Sequence, residues 1–109
     1  MDIEDVRQRK ILLYDFYEKL LTERQREIFS MHFMDDCSLA EVGEVAGITP
    51  QAVADLLKRV CNRLEKYEDL LGLVDKAHKI TLALDELENT PANIKVSKKI
   101  RALWECSIM

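Results

Sequence analysis

The segment SLAEVGEVAGITPQAVADLLK, residues 38–58, leaves this chain few local geometries to choose from. Ser38 and Glu41 have capping-box spacing: a hydroxyl for the free amide three residues on, and a carboxylate that reaches back. Gly47 stands where a short helix must stop, and it supplies the left-handed backbone such a stop requires. Thr49 can cap a second helix, and Pro50 then takes the first helical position, where a missing amide hydrogen costs nothing. Leu39, Val42, Ala46, Ile48, Val53 and Leu56 are spaced to close a small core between the two helices. Gly43 sits inside the first helix, where glycine costs about 1 kcal/mol relative to alanine; its presence marks a place of close approach. The ordered set predicts a helix–turn–helix whose second helix opens at Thr49 and faces outward.

The rest of the chain extends this into an all-α protein. A first helix is expected over about 3–21, with Val6, Leu13, Phe16, Tyr17 and Leu20 as its apolar stripe, widened by Ile11, Leu12 and Tyr14. Thr22 can cap a second helix with Gln25 as reciprocal partner, and Ile28, Phe29, Met31 and Phe33 carry that helix into the core. Residues 34–37 connect it to the helix–turn–helix. From Pro50 no strong stop occurs before Gly72. Val53, Leu57, Val60, Leu64, Tyr67, Leu71 and Val74 follow alternating steps of four and three; Leu73, Ala77, Ile80, Leu84 and Leu87 follow the same rule one residue out of phase. At Gly72 the helix therefore breaks or its buried face rotates. A seam this long projects beyond the core in front of it, which predicts a homodimer or a folded-back helical hairpin. Asn89, Thr90 and Pro91 mark a turn, with Thr90 as a cap. A last helix over about 92–106 carries Val96, Ile100, Leu103 and Trp104 as an apolar stripe with a basic flank. The domain reading is 1–71 for the helix–turn–helix domain and 72–109 for a helical extension.

Several function classes have no support. No run of about 18 apolar residues exists, so no membrane span is expected, and the charged N-terminus lacks a signal peptide's apolar stretch, which places the protein in the cytoplasm. Cys37, Cys61 and Cys106 are odd in number with no CxxC spacing, and His32 and His78 have no ligand partner at useful spacing. Neither a disulfide framework nor a metal site is expected, and no cofactor. There is no phosphate-binding glycine loop and no nucleophile elbow, so the chain does not read as an enzyme.

A helix–turn–helix presents its second helix to the major groove of DNA, and duplex binding draws most of its affinity from phosphate neutralisation. The charge is a test of that function. The whole chain is net −4, and residues 22–67 hold six basic against eight acidic side chains. Basic residues concentrate on the second helix of the motif, as Lys58, Arg59, Arg63 and Lys66; Asp35, Asp36, Glu41 and Glu44 belong to the first helix and its lead-in, and would repel phosphate if they faced it. The exposed face near the start of the second helix carries Thr49, Gln51, Ala54, Asp55 and Lys58. Gln51 could read adenine and Thr49 could hold a phosphate. Ala54 offers an apolar contact only, and Asp55 departs from the basic pattern of a recognition helix. The alternative for Gln51, Asp55 and Lys58 is an ordinary solvated face.

The stretch LTERQREIFSMHFMDDCSLAEVGEVAGITPQAVADLLKRVCNRLEKYE resembles region 4 of bacterial sigma factors, a winged-helix-like DNA-binding type; with the preceding YDFYEKL it is more similar still to the YlxM family of small bacterial proteins. The resemblance covers most of residues 1–75. It implies a DNA-binding regulator in which Thr49, Gln51, Ala54, Asp55 and Lys58 meet bases and backbone, and on that function Arg59 and Arg63 are further candidates for contact. Because genes of that family lie beside those of the signal recognition particle GTPases, it also implies a role in that pathway. The competing function is an adaptor that keeps the helix–turn–helix as a scaffold and binds a protein or the RNA of that particle. Its candidate surface is Lys95, Lys98, Lys99, Arg101 and Trp104, with Trp104 as core filler the plain alternative.

Overall fold

The computed structural model describes residues 3–89 and 91–108, and the side chains through Leu103. Among the described residues every regular element is helical: α1 Ile3–Tyr17, α2 Glu23–Phe29, α3 Leu39–Ala46, α4 Pro50–Leu71, α5 Leu73–Glu88 and α6 Ile94–Ile108. No strand occurs among them, so no β-wing accompanies α3 and α4 there. Two compact units are present, residues 1–70 and 71–109.

The first unit is built around aromatic and branched side chains. Leu13, Tyr14, Tyr17, Leu21, Ile28, Phe29, Val42, Val53, Leu57, Val60 and Leu64 are buried. Tyr14 stacks on Phe29 with ring centroids 4.3 Å apart and planes within 7° of parallel, and Phe29 meets Phe33 at 4.5 Å. The buried edge of α1 is narrower than the stripe expected for it. Leu13, Tyr14 and Tyr17 are inside, while Val6 and Leu20 are exposed. The reason for the second lies in the helix end: α1 tightens into a 3-10 turn at Glu18–Leu20, which swings Leu21 inward instead.

α2 begins as its capping box dictates. Thr22 accepts from the Gln25 N–H (3.2 Å), and Gln25 Oε1 accepts from the Thr22 N–H (2.9 Å). The helix then widens into a π-helical turn at Ser30–Met34. The chain leaves it through Asp36, a non-glycine residue at φ 57°, whose carboxylate pairs with Arg7. Arg7 also donates to the Phe33 carbonyl oxygen (2.6 Å), so α1 holds the end of this turn.

The α3–α4 pair follows the sequence closely. Ser38 accepts from the Glu41 N–H (3.1 Å) and the Glu41 carboxylate accepts from the Ser38 N–H (3.0 Å). Gly47 is left-handed at φ 74°, and the Ile48 N–H returns to the Gly43 carbonyl oxygen at 3.0 Å. The Thr49 hydroxyl accepts from the Ala52 N–H (3.1 Å), and Pro50 opens α4. Val42 and Val53 close the space between the helices with no exposure, while Leu39, Ala46, Ile48 and Leu56 are half-buried around them. The two Ser38 bonds hold the Glu41 carboxyl below the usual carboxylate range, the backbone bond first. A lowered native pKa means that the linked stability is present above the unfolded value and lost as pH falls through the native one. Loss of the cap in Ser38→Ala should cost about 1 kcal/mol in chemical denaturation; the backbone N–H of residue 38 is kept, so the Glu41 carboxyl, followed by NMR titration, should move only part of the way toward its ordinary value.

One buried polar contact was not foreseen. Glu68 lies on the inner face of α4, only 9% exposed, and accepts a 2.5 Å hydrogen bond from the Tyr17 hydroxyl. Tyr17→Phe removes that donor from a desolvated carboxylate. We expect it to destabilise the first unit by about 1–3 kcal/mol, with Glu68→Gln, which keeps an acceptor oxygen, costing less in the same denaturant titration.

Gly72, at φ 63°, breaks the long helix, so the phase change near it is a stop and not a rotation. In the second unit α5 packs against α6 across a 3-10 turn at Pro91–Asn93. Val74, Ala77 and Leu84 are buried, and so is Ser97, whose hydroxyl donates to the Ile94 carbonyl oxygen (3.0 Å). The apolar stripe expected to seat α6 lies outside instead: Val96, Ile100 and Leu103 are 58, 41 and 65% exposed. The physical reason is that Arg101, one turn on from Ser97, turns toward α5, where it bridges Asp85 (2.9 Å) and Glu88 (3.0 Å). Thr90, the Trp104 side chain and the Cys106 side chain lie outside the described residues.

Candidate functional site

The outward side of α4 is fixed by its inward side. Val53, Leu57, Val60, Leu64 and Glu68 point into the first unit, so Gln51, Asp55, Lys58 and Asn62, at steps of four, three and four, project the other way. Arg59, Arg63 and Lys66 flank them, and all seven of these residues are exposed. Ala54 is half-buried. Thr49 is exposed at the head of the helix, with its oxygen committed to the Ala52 N–H. The structure thus brings Gln51, Asp55, Lys58, Arg59 and Arg63 to one surface and leaves Ala54 at its edge. Asn62 was not singled out from sequence, although its position one turn after Lys58 placed it on the same face.

Hydrogen bonding sorts the charges on this surface. Lys58, Arg59, Arg63 and Lys66 form no ion pair or side-chain hydrogen bond among the described residues. Four of the eight acids in residues 22–67 are engaged, while Glu23, Glu27, Asp35 and Glu44 have no side-chain partner among the described residues. Glu65 takes two bonds from Arg9 of α1 (3.2 and 3.3 Å), and Asp36 pairs with Arg7. The Glu41 carboxylate is spent on the Ser38 cap. Asp55 accepts from the Gln51 side-chain nitrogen at 3.2 Å. The excess of acids in this segment therefore coexists with a locally cationic strip on α4.

Beside that strip lies a cleft of about 410 Å³ with Phe33, Leu39 and Leu57 on its walls and Lys10, Lys58 and Cys61 among its polar lining. Lys10 stands 5.6 Å over the Phe33 ring. Burial pushes the Cys61 thiol up from its ordinary pKa, against the opposing field of Lys10. Cys37 and Cys61 are free thiols. No group of three or more His, Cys, Asp or Glu side chains among the described residues could hold a metal ion, and no helix described is long and apolar enough to cross a membrane.

In the second unit Lys95, Lys98 and Lys99 are exposed on α6, whereas Arg101 is tied to Asp85 and Glu88. Trp104, the aromatic member of that set, has no described side chain.

Comparison with known proteins matches residues 4–103 to a family model described as "UPF0122: Putative helix-turn-helix protein, YlxM / p13 like". A UPF0122 protein of Caldanaerobacter subterraneus subsp. tengcongensis is 47% identical over 77 residues, which cover 71% of this chain and 66%, just under two thirds, of the relative. A UPF0122 protein of Symbiobacterium thermophilum is 41% identical over 96 residues, covering 88% of this chain and 90% of the relative. One from Exiguobacterium sibiricum is 38% identical over 99 residues, covering 91% and 93%. This chain belongs to the YlxM/UPF0122 family.

Proposed function

We propose that the first unit is a DNA-binding regulatory module of the sigma-region-4-like helix–turn–helix type, with α4 as the element that enters the major groove. The observation that carries this reading is the strip of Lys58, Arg59, Arg63 and Lys66: exposed, on one helix, and unpaired among the described residues. Cations left free on one helix, with Glu65 and Asp36 engaged by arginines of α1, are what phosphate contact requires. α3 braces the head of α4 through the Gly43–Ile48 bond, with Val42 and Val53 buried on the two helices. Thr49 and Gln51 stand at the first turn of α4, where recognition helices meet base edges. The test is titration of duplex DNA at two salt concentrations with oligomeric state measured alongside. The reading requires affinity that falls steeply with salt; binding absent at low salt ends it.

A second reading has its own observation. α6 exposes Val96, Ile100 and Leu103 beside Lys95, Lys98 and Lys99. Such a surface suits an adaptor docking on a partner protein, in keeping with the link to the signal recognition particle that the family resemblance implies. A pull-down in which deletion of 92–109 changes nothing counts against it.

A further inference from the structure

We propose that Asp55 is a positioning residue that sets Gln51 to read adenine in the major groove of duplex DNA; this rests on the DNA-binding reading of the same face. Asp55 is the anomaly of that face. Lys58, Arg59 and Arg63 follow it within two turns, and a carboxylate among them weakens phosphate attraction. Its geometry supplies the compensating role. The Gln51 side-chain nitrogen lies 3.2 Å from Asp55 Oδ1, one helical turn on.

An ionised carboxylate only accepts hydrogen bonds, so this contact fixes which end of the Gln51 amide faces Asp55. The nitrogen points along α4 and the carbonyl oxygen points away. An amide nitrogen carries two hydrogens, and Asp55 takes one. For this role Asp55 must take the hydrogen anti to the carbonyl oxygen, which leaves the oxygen and the syn hydrogen side by side on an exposed residue in the first turn of α4. Adenine presents the complement in the major groove, an N6 donor beside an N7 acceptor. A glutamine without such an anchor samples several rotamers and either amide orientation, and its discrimination suffers accordingly. The bond is modest in water and strengthens where docking expels water from the interface.

The charge of Asp55 and its hold on Gln51 are separable. Asparagine keeps an oxygen that can accept from the Gln51 nitrogen and carries no charge; alanine loses both. The experiment selects duplexes from a randomised library with the full chain and its Gln51→Ala, Asp55→Ala and Asp55→Asn variants, then measures Kd on the preferred duplex and on its single-base changes. Wild type should prefer adenine at one position by about fivefold or more, the low end for one good bidentate contact. Gln51→Ala and Asp55→Ala should both lose that preference, while Asp55→Ala gains affinity for unrelated duplex. Asp55→Asn should share the gain and keep the preference to within about twofold of wild type. A preference that survives Asp55→Ala, or that Asp55→Asn loses equally, overturns the assignment. So does wild type that binds duplex in a salt-dependent way with no base preference, an outcome that leaves the DNA reading standing. Failure to bind any duplex at low salt sinks both.

Discussion

Replacing Lys58 and Arg59 together by alanine should abolish duplex binding at physiological salt. Both side chains are exposed, and neither has a partner among the described residues, so their loss removes no contact that holds the fold. Substitutions of this kind change stability by about 0.5 kcal/mol or less, and the thermal melt should be unchanged. Binding should respond strongly because the segment has little charge to spare: six basic side chains serve residues 22–67, and eight acidic ones oppose them. Each lost phosphate contact lowers the slope of log affinity against log salt by about 1. The double variant should flatten that slope by about 2 and leave residual binding only at low salt. Measurement by fluorescence anisotropy at several salt concentrations separates this from a folding defect. Wild-type affinity in the double variant would remove the outward face of α4 from the interface.

The local grammar of this chain was readable from residues alone, because caps and left-handed stops are decided within a few positions. Thr22 with Gln25, Ser38 with Glu41, Gly47, Thr49 and Pro50 each act where their chemistry predicts. The break at Gly72 belongs to the same class, since only a left-handed residue there ends one helix and lets another begin immediately. Tertiary choices were less legible. Periodicity gave α6 an apolar stripe, but the pull of Asp85 and Glu88 on Arg101 sets its rotation and leaves Val96, Ile100 and Leu103 outside. Glu68 falls one residue past Tyr67 of the expected seam, and the hydrogen bond from the Tyr17 hydroxyl, a partner 51 residues away, could not be read from spacing. The π-helical turn at Ser30–Met34 has no sequence mark of its own. On the candidate face, the positions could be listed from helical spacing, but not their electrostatic state. That depends on partners distant in sequence: Arg9 for Glu65 and Arg7 for Asp36. A count of charges along the chain weighs those acids fully, whereas the fold has already matched them.

Gly43→Ala should destabilise the chain, although it replaces a poor helix former with the best one. Inside a helix the exchange alone would gain about 1 kcal/mol. Here a Cβ at position 43 would stand 2.6 Å from the Ile48 carbonyl oxygen and 3.4 Å from the Pro50 nitrogen. The obstacle is backbone, and no rotamer change can clear it. That backbone is also fixed from both sides: the Ile48 N–H is bonded to the Gly43 oxygen, and Pro50 has just started α4. The strand of chain between the helices must move outward, which strips contacts from Val42 and Val53, both fully buried. Overpacking against fixed backbone costs about 1–3 kcal/mol or somewhat more, of which the propensity gain of about 1 kcal/mol offsets a part. For a unit of this size each kcal/mol lowers Tm by about 4–8 °C. Gly47→Ala is the control. It meets no atom within 4 Å but must adopt φ 74°, so its cost should stay near the 1–2 kcal/mol of a left-handed alanine. Because the same displacement tilts the head of α4, Gly43→Ala should also weaken duplex binding at temperatures where the protein is still folded. If Gly43→Ala melts at or above wild type, the close approach of the turn to α3 is not what holds these two helices together.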